Sequence, residues 1–173
     1  MDSTIRRFSS RRQKLGQSFL SERLRGAKTY DRIAGYFCGS IIETAGEALE
    51  SIQGSIRVIC NSGLDPRDVA TARAAAAALR QEWCGSKPEA LVDAGGEAAK
   101  GRMSRLHQFL ATGKLQVKVL PDKHFGLIHG KAGVITLADG TKTAFLGSVN
   151  ESKSAWTLNY ELLWEDPSPE SVQ

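Results

Sequence analysis

Residues 126–152 read GLIHGKAGVITLADGTKTAFLGSVNES, and the pairing of this stretch decides what kind of sheet the chain builds. Two alternating apolar runs flank Asp139-Gly140, a dipeptide that favours a two-residue hairpin turn. With that loop Ala138 faces Thr141; counting back, Lys131 faces Ser148 and His129 faces Asn150. Side chains alternate along a strand, so these four polar groups are expected on one face, near the open end of the hairpin. Asp139 is expected to serve the turn and not the chemistry.

A lysine supplies a point charge for phosphate oxygens, and serine and asparagine supply neutral donors. A neutral imidazole can attack as a nucleophile or carry a proton near pH 7. No second histidine at ligand spacing and no carboxylate pair stands beside His129, so no metal is expected. GLIHGKA is one residue short of a P-loop, and Ala132 occupies the position that needs Ser or Thr, which argues against a nucleotide site.

Outward from the hairpin, the pattern alternates helix and strand. FLSERLRGAK (19–28) has helical spacing, RIAGYF (32–37) reads as a strand, and residues 40–52 put Ile41, Ala45, Ala48 and Ile52 on one helical stripe. SIRVIC (55–60) reads as a buried strand. Asp65-Pro66, with Asp68, opens a helix whose Val69, Ala72, Ala76, Leu79 and Trp83 share a face before Gly85. A further helix is expected from about Arg102 to Thr112, stopped by Gly113, and KLQVKVL (114–120) alternates as a strand ended by Pro121. The fold class is therefore α/β, a central mixed β-sheet flanked by helices and ending in an antiparallel hairpin.

The 173 residues carry a net charge of +4, but charge is uneven. Through Arg32 there are nine basic residues (Arg6, Arg7, Arg11, Arg12, Lys14, Arg23, Arg25, Lys28, Arg32) against Asp2, Glu22 and Asp31, a local +6 on a body of about −2. Residues 1–17 read as a basic flexible arm, with Arg6, Arg7, Arg11, Arg12 and Lys14 as its nucleic-acid contacts, or as a solvated tail. That arm precedes a domain over 18–166. Residues 167–173 read as a tail or the start of a helix, with Ser168 as N-cap and Pro169 at its first position, as if the chain were a module of something longer. Cys38, Cys60 and Cys84 lack metal or disulfide spacing and are expected as buried apolar groups in a reducing cytoplasm. No apolar run approaches the roughly 20 residues of a membrane span, and the N-terminus lacks the apolar segment of a secretory signal.

His129-x-Lys131, Gly147-Ser148-x-Asn150, Ser152 and Glu161 within NYELLW together resemble the phospholipase D superfamily, whose motif is HxK followed by GSxN. YDRIAGYF (30–37) is similar to the first core strand of its nuclease-like branch, found alone or fused to helicases in bacterial genome defence. The resemblance implies a phosphodiesterase that needs no metal or other cofactor and works through a phosphohistidine. His129 would be nucleophile or general acid, Lys131 and Asn150 would hold phosphate oxygens, and Glu161 would fix a histidine tautomer. Ser148 and Ser152 would be auxiliary donors. One motif per chain implies a homodimer. The implied partners are nucleic acid, DNA before RNA, and a helicase as partner or fused domain, with no membrane. Thr136 stands where the lipase-type motif has Asp, which points away from lipid. A non-catalytic nucleic-acid-positioning module is the alternative.

Overall fold

Strands form where β-branched and aromatic residues recur, and the chain closes them into one seven-stranded sheet. A computed structural model describes residues 4–61, 67, 69–74, 97–120 and 128–172. The strands are β1 (Arg6–Ser9), β2 (Thr29–Ile33), β3 (Ile56–Asn61), β4 (Leu115–Leu120), β5 (Ala132–Thr136), β6 (Lys142–Gly147) and β7 (Leu162–Asp166). Their order across the sheet is β1-β7-β6-β5-β2-β3-β4. β2, β3 and β4 run parallel, and the other neighbours pair antiparallel. The mixed α/β architecture expected from the sequence is therefore present, with two strands beyond the terminal hairpin.

A π-helical turn (Gly16–Ser21) runs into α1 (Glu22–Leu24); α2 spans Ile41–Ser51, α3 Glu97–Ala111 and α4 Lys153–Thr157. Ile41, Ala45 and Ala48 of α2 are buried with Ile52, the stripe read from spacing, and join Leu106 and Phe109 of α3 over Tyr30, Val58, Ile135 and Leu163 of the sheet. Gly113, with φ +72°, stops α3 as expected. Residues 67 and 69–74 are helical, but Thr71 is buried where Ala72 was expected, its hydroxyl donating to the Arg67 carbonyl at 2.8 Å. Asp65, Pro66, Trp83 and Cys84 lie outside the described residues. Pro169–Val172 makes a single 3-10 turn at the helix start read there. Among the described residues no helix is long and apolar enough to cross a membrane.

The basic arm needs correction. Arg6–Ser9 add an edge strand to the sheet against β7, and Leu15 is buried. The reason is apolar: Phe8 packs edge-on against Phe19 at 5.0 Å, and Phe19 meets Phe145 at 5.1 Å in the core. Two large apolar side chains in a run of arginines are enough to hold it down. The arginines Arg6, Arg7, Arg11 and Arg12, with Lys14, remain exposed on this fixed segment.

The hairpin register also needs correction. Thr136 pairs with Lys142, and Leu137 exchanges hydrogen bonds with Thr141 and Gly140, so the loop has three residues. Gly140, at φ +91°, takes the left-handed position that such a loop requires. Asp139 keeps its turn role. Its carboxylate accepts from the Thr141 hydroxyl at 2.7 Å and amide at 2.8 Å, and these bonds hold it below the ordinary carboxylate range. A slip of one residue reverses which side chains share a face, so the facing of His129 with Asn150 and of Lys131 with Ser148 does not occur in the ladder.

Gly147 is fixed by a close approach. A Cβ there would collide with the Leu162 carbonyl oxygen and lie 2.9 Å from the Leu163 Cα. Gly147→Ala is expected to destabilise the fold by about 1–3 kcal/mol, as overpacking does, read as a lower urea midpoint. Burial also pushes the Cys60 thiol up from 9.0 to about 11. The native state then keeps a proton that the unfolded chain loses. The stability this group contributes is intact below pH 9 and lost as pH rises towards 11. At pH 8, alkylation of the Cys60 peptide is expected to run about 100-fold slower in the native chain than in urea, following thiolate fraction. Equal rates would contradict the burial.

Candidate active site

Four chain ends meet at one edge of the sheet: the carboxyl ends of β2, β3 and β6 and the amino end of β5. Beyond Ile33 the chain passes Gly35, whose missing side chain leaves a small hollow. A Cβ there would lie 3.2 Å from the Ile128 carbonyl, 3.4 Å from Asn150 Oδ1 and 3.6 Å from Lys131 Nζ. Lys131 and Asn150 therefore do converge, although not by strand pairing. The β5–β6 ladder ends at Ala132 and Leu146, and the residues beyond it bring the two side chains to Gly35.

Each is held by backbone. Asn150 Oδ1 accepts the Tyr36 amide at 3.1 Å, which leaves its Nδ2 without a partner among the described residues and free to donate. Lys131 Nζ donates to the His129 carbonyl at 2.8 Å and keeps two further protons. His129 itself is exposed. Its neighbour Ile128 is pinned by Asn61 at the end of β3: Nδ2 donates to the carbonyls of Gly35 (3.0 Å) and Ile128 (2.9 Å), and Oδ1 accepts the Ile128 amide at 2.8 Å. One buried carboxamide thus fixes the spacing between the glycine hollow and the segment that carries the histidine.

Next to Asn150 in sequence, Glu151 forms a buried ion pair with Arg32. Arg32 Nε donates to Glu151 at 2.9 Å, both side chains being almost fully removed from water. Tyr30 donates to both Glu151 oxygens at 3.1 Å, Arg32 also donates to the Val149 carbonyl, and its guanidinium stacks 4.9 Å from the Phe145 ring centre. Burial, reinforced by the Glu151 charge, holds the Tyr30 phenol well above its ordinary range. The Glu151 backbone binds the Tyr36 carbonyl and the Cys38 amide at 3.1 and 2.9 Å. This network joins the 149–151 loop to the 34–38 loop.

The chain of residues 20–173 matches the family described as cardiolipin synthase, PLD-like domain. The chain belongs to this PLD-like family. A yeast tyrosyl-DNA phosphodiesterase is similar in fold at a TM-score of 0.52 and 13% identity, over 94% of this chain and 32% of that one. The chain spans about a third of that protein's length. NucT from Helicobacter pylori (TM-score 0.49, 16% identity, 98% of this chain and 88% of that) and the phospholipase D family member Nuc from Salmonella typhimurium (TM-score 0.49, 15% identity, 96% and 85%) are also similar. A comparison with curated proteins gives no match.

The remaining motif residues of this PLD-like chain are bonded elsewhere. Ser148 donates to Glu161 and accepts the Leu162 amide at 3.1 Å. Glu161 is buried, and its carboxylate is engaged by Ser148 and by Asn159 at 3.4 Å. Ser152, expected on phosphate, turns its hydroxyl to the Ala155 amide at 3.4 Å as the N-cap of α4. Trp156 is 1% exposed and stacks on Phe19, so it belongs to the core. His124 lies outside the described residues. Asn61, Gly35, Arg32 and Glu151 escaped the sequence reading. The one signal for Asn61 was a polar residue ending an apolar parallel strand, where open α/β sheets place ligands.

Removing one partner of a buried pair leaves an uncompensated charge. Arg32→Met and Glu151→Leu are each expected to cost about 3–5 kcal/mol, and the double variant less than the sum of the two. Additive losses in a denaturation cycle would show that the two side chains act independently.

Proposed function

We propose that the chain is a phosphodiesterase that cleaves the backbone of nucleic acid, DNA before RNA, through a covalent phosphohistidine and without a metal ion. The observation that carries this reading is the meeting of Lys131 Nζ and Asn150 at the Gly35 hollow, beside an exposed His129. An ammonium and a carboxamide side by side next to an exposed imidazole suit a phosphate whose charge rises in the transition state. Thr136, at the lipase-type Asp position, is committed to Thr29 at 2.9 Å inside the sheet, which favours nucleic acid over lipid.

In the proposed route a histidine nitrogen attacks phosphorus and the bond to the leaving oxygen breaks. A second histidine protonates that oxygen. It then takes a proton from water as the water displaces the enzyme from phosphorus, restoring both imidazoles. One His129 per chain makes the second histidine that of another copy, so the active form is a homodimer with the two motifs at its two-fold axis. Glu161 would accept from an imidazole N–H and hold its tautomer. Ser148 and Ser152 would act through the loops they brace. Because Glu161 is already engaged by Ser148, a second reading keeps nucleic-acid binding without turnover, as a positioning module for a helicase in genome defence.

End-labelled DNA in excess EDTA separates these. The chain is expected to cut, and His129→Asn is expected to bind and not cut. When equal parts of the two exchange subunits, about a quarter of the activity is expected to remain, since only unsubstituted dimers carry both histidines. Half the activity would contradict the shared site, and uncut DNA bound by both proteins would leave the positioning module.

A further inference from the structure

The edge formed by β1 and β7 carries two arginine–aromatic pairs that the phosphodiester chemistry does not use. Arg7 lies opposite Trp164 in the ladder, its guanidinium carbon 6.0 Å from the ring centre. Arg11, four residues after Arg7, covers Tyr160, four residues before Trp164, at 5.1 Å. Ser9 faces Leu162 between them, and beyond Ser9 the chain turns, the Arg12 and Gln13 amides donating to the Ser9 carbonyl, so Arg11 reaches Tyr160 from the turn that ends the β1–β7 ladder. Tyr160 is 59% exposed and Trp164 37%, which leaves ring surface open despite the arginines.

The outer pair is not a chance contact of loose side chains. The Ser10 amide donates to the Glu161 carbonyl at 3.1 Å, and the Glu161 amide donates to the Ser10 hydroxyl at 2.9 Å. Arg11 and Tyr160 each adjoin one member of that doubly bonded pair, so their backbones are fixed. The Glu161 carboxylate in turn holds Ser148 of the GSxN motif. The aromatic pair at Tyr160 is therefore tied, through Glu161, to the loop that presents Asn150. Arg12 and Lys14 stand exposed on the same segment.

We propose that Tyr160 with Arg11, continued by Trp164 with Arg7, forms a base-stacking track for single-stranded nucleic acid leading away from the phosphate site. The inference rests on the phosphodiesterase reading and names the form of its substrate. A ring face accepts any nucleobase, a guanidinium adds a cation above the stack, and the nearby basic side chains meet the phosphates. A duplex has no unstacked base to offer, so the track selects single strands or frayed ends. Arg11 is thereby a fixed part of a binding groove.

Binding is measured by fluorescence anisotropy with a labelled oligothymidylate and an abasic strand of the same length, in EDTA, with every protein carrying His129→Asn. Tyr160→Ala is expected to weaken oligothymidylate binding about 5- to 150-fold, the usual worth of one stacked base, with an unchanged salt slope. Tyr160→Phe is expected to restore binding, Arg11→Ala to lower both affinity and salt slope, and the abasic strand to bind Tyr160→Ala and its parent alike. Unaltered oligothymidylate binding by Tyr160→Ala overturns the track, as does an equal loss for the abasic strand or no binding of either strand by the parent. DNA cleavage by the unsubstituted chain reads the phosphodiesterase proposal separately. Cleavage with a silent Tyr160→Ala removes only the track.

Discussion

Arg32 and Glu151 meet at 2.9 Å with both side chains out of water, and the two loops that shape the site are attached to them. Charges buried in this way gain little net stability over apolar residues of the same shape, because desolvation offsets most of their attraction. Their geometry is what matters here. Arg32 reaches the Val149 carbonyl, Tyr30 holds the other side of Glu151, and the Glu151 backbone binds Tyr36 and Cys38. Together these bonds tie residues 149–151 to residues 34–38. Next to that tie, Asn150 Oδ1 accepts the Tyr36 amide and lies at Gly35.

The sheet topology supplies the rest of the site. β5 is antiparallel to β2, so its beginning lies beside the end of β2, and the end of β6 arrives at the same edge. Lys131, Asn150, Gly35 and Asn61 are far apart in sequence, yet each stands within four residues of a strand terminus there. Side chains on short exits from a rigid sheet are located more exactly than side chains on long loops. Asn61 uses this most fully, since a single carboxamide at the end of β3 spans Gly35 and Ile128.

Much of the fold was legible because burial writes a period into the sequence. The stripe of α2, the apolar run of β3 and the glycine after α3 sit where their patterns put them, while the alternation of β4 holds from Leu115 to Lys118 and ends at Val119, which is exposed. The motif residues Lys131 and Asn150 were legible as types, but the reason for their convergence was not. Asp-Gly supports both a two- and a three-residue loop, and the choice reverses every facing residue. β1 was hidden because its arginines dominate a charge count while Phe8 and Leu15 decide its burial. The ion pair was hidden for a different reason: Arg32 and Glu151 lie 119 positions apart, and each alone resembles a surface charge. No local pattern announces such a pairing, and it is visible only when the strands are assembled.

The claim on which the chemistry rests is a covalent bond between phosphorus and His129. A single turnover of 5′-labelled or phosphorus-labelled DNA, quenched during the reaction and digested under conditions that preserve phosphohistidine, tests it by mass spectrometry. The proposed route predicts a nucleotidyl adduct on the peptide containing His129 that rises and decays between substrate and product. Product formed at the same rate with no adduct on that histidine would contradict it, and water would then be the direct nucleophile.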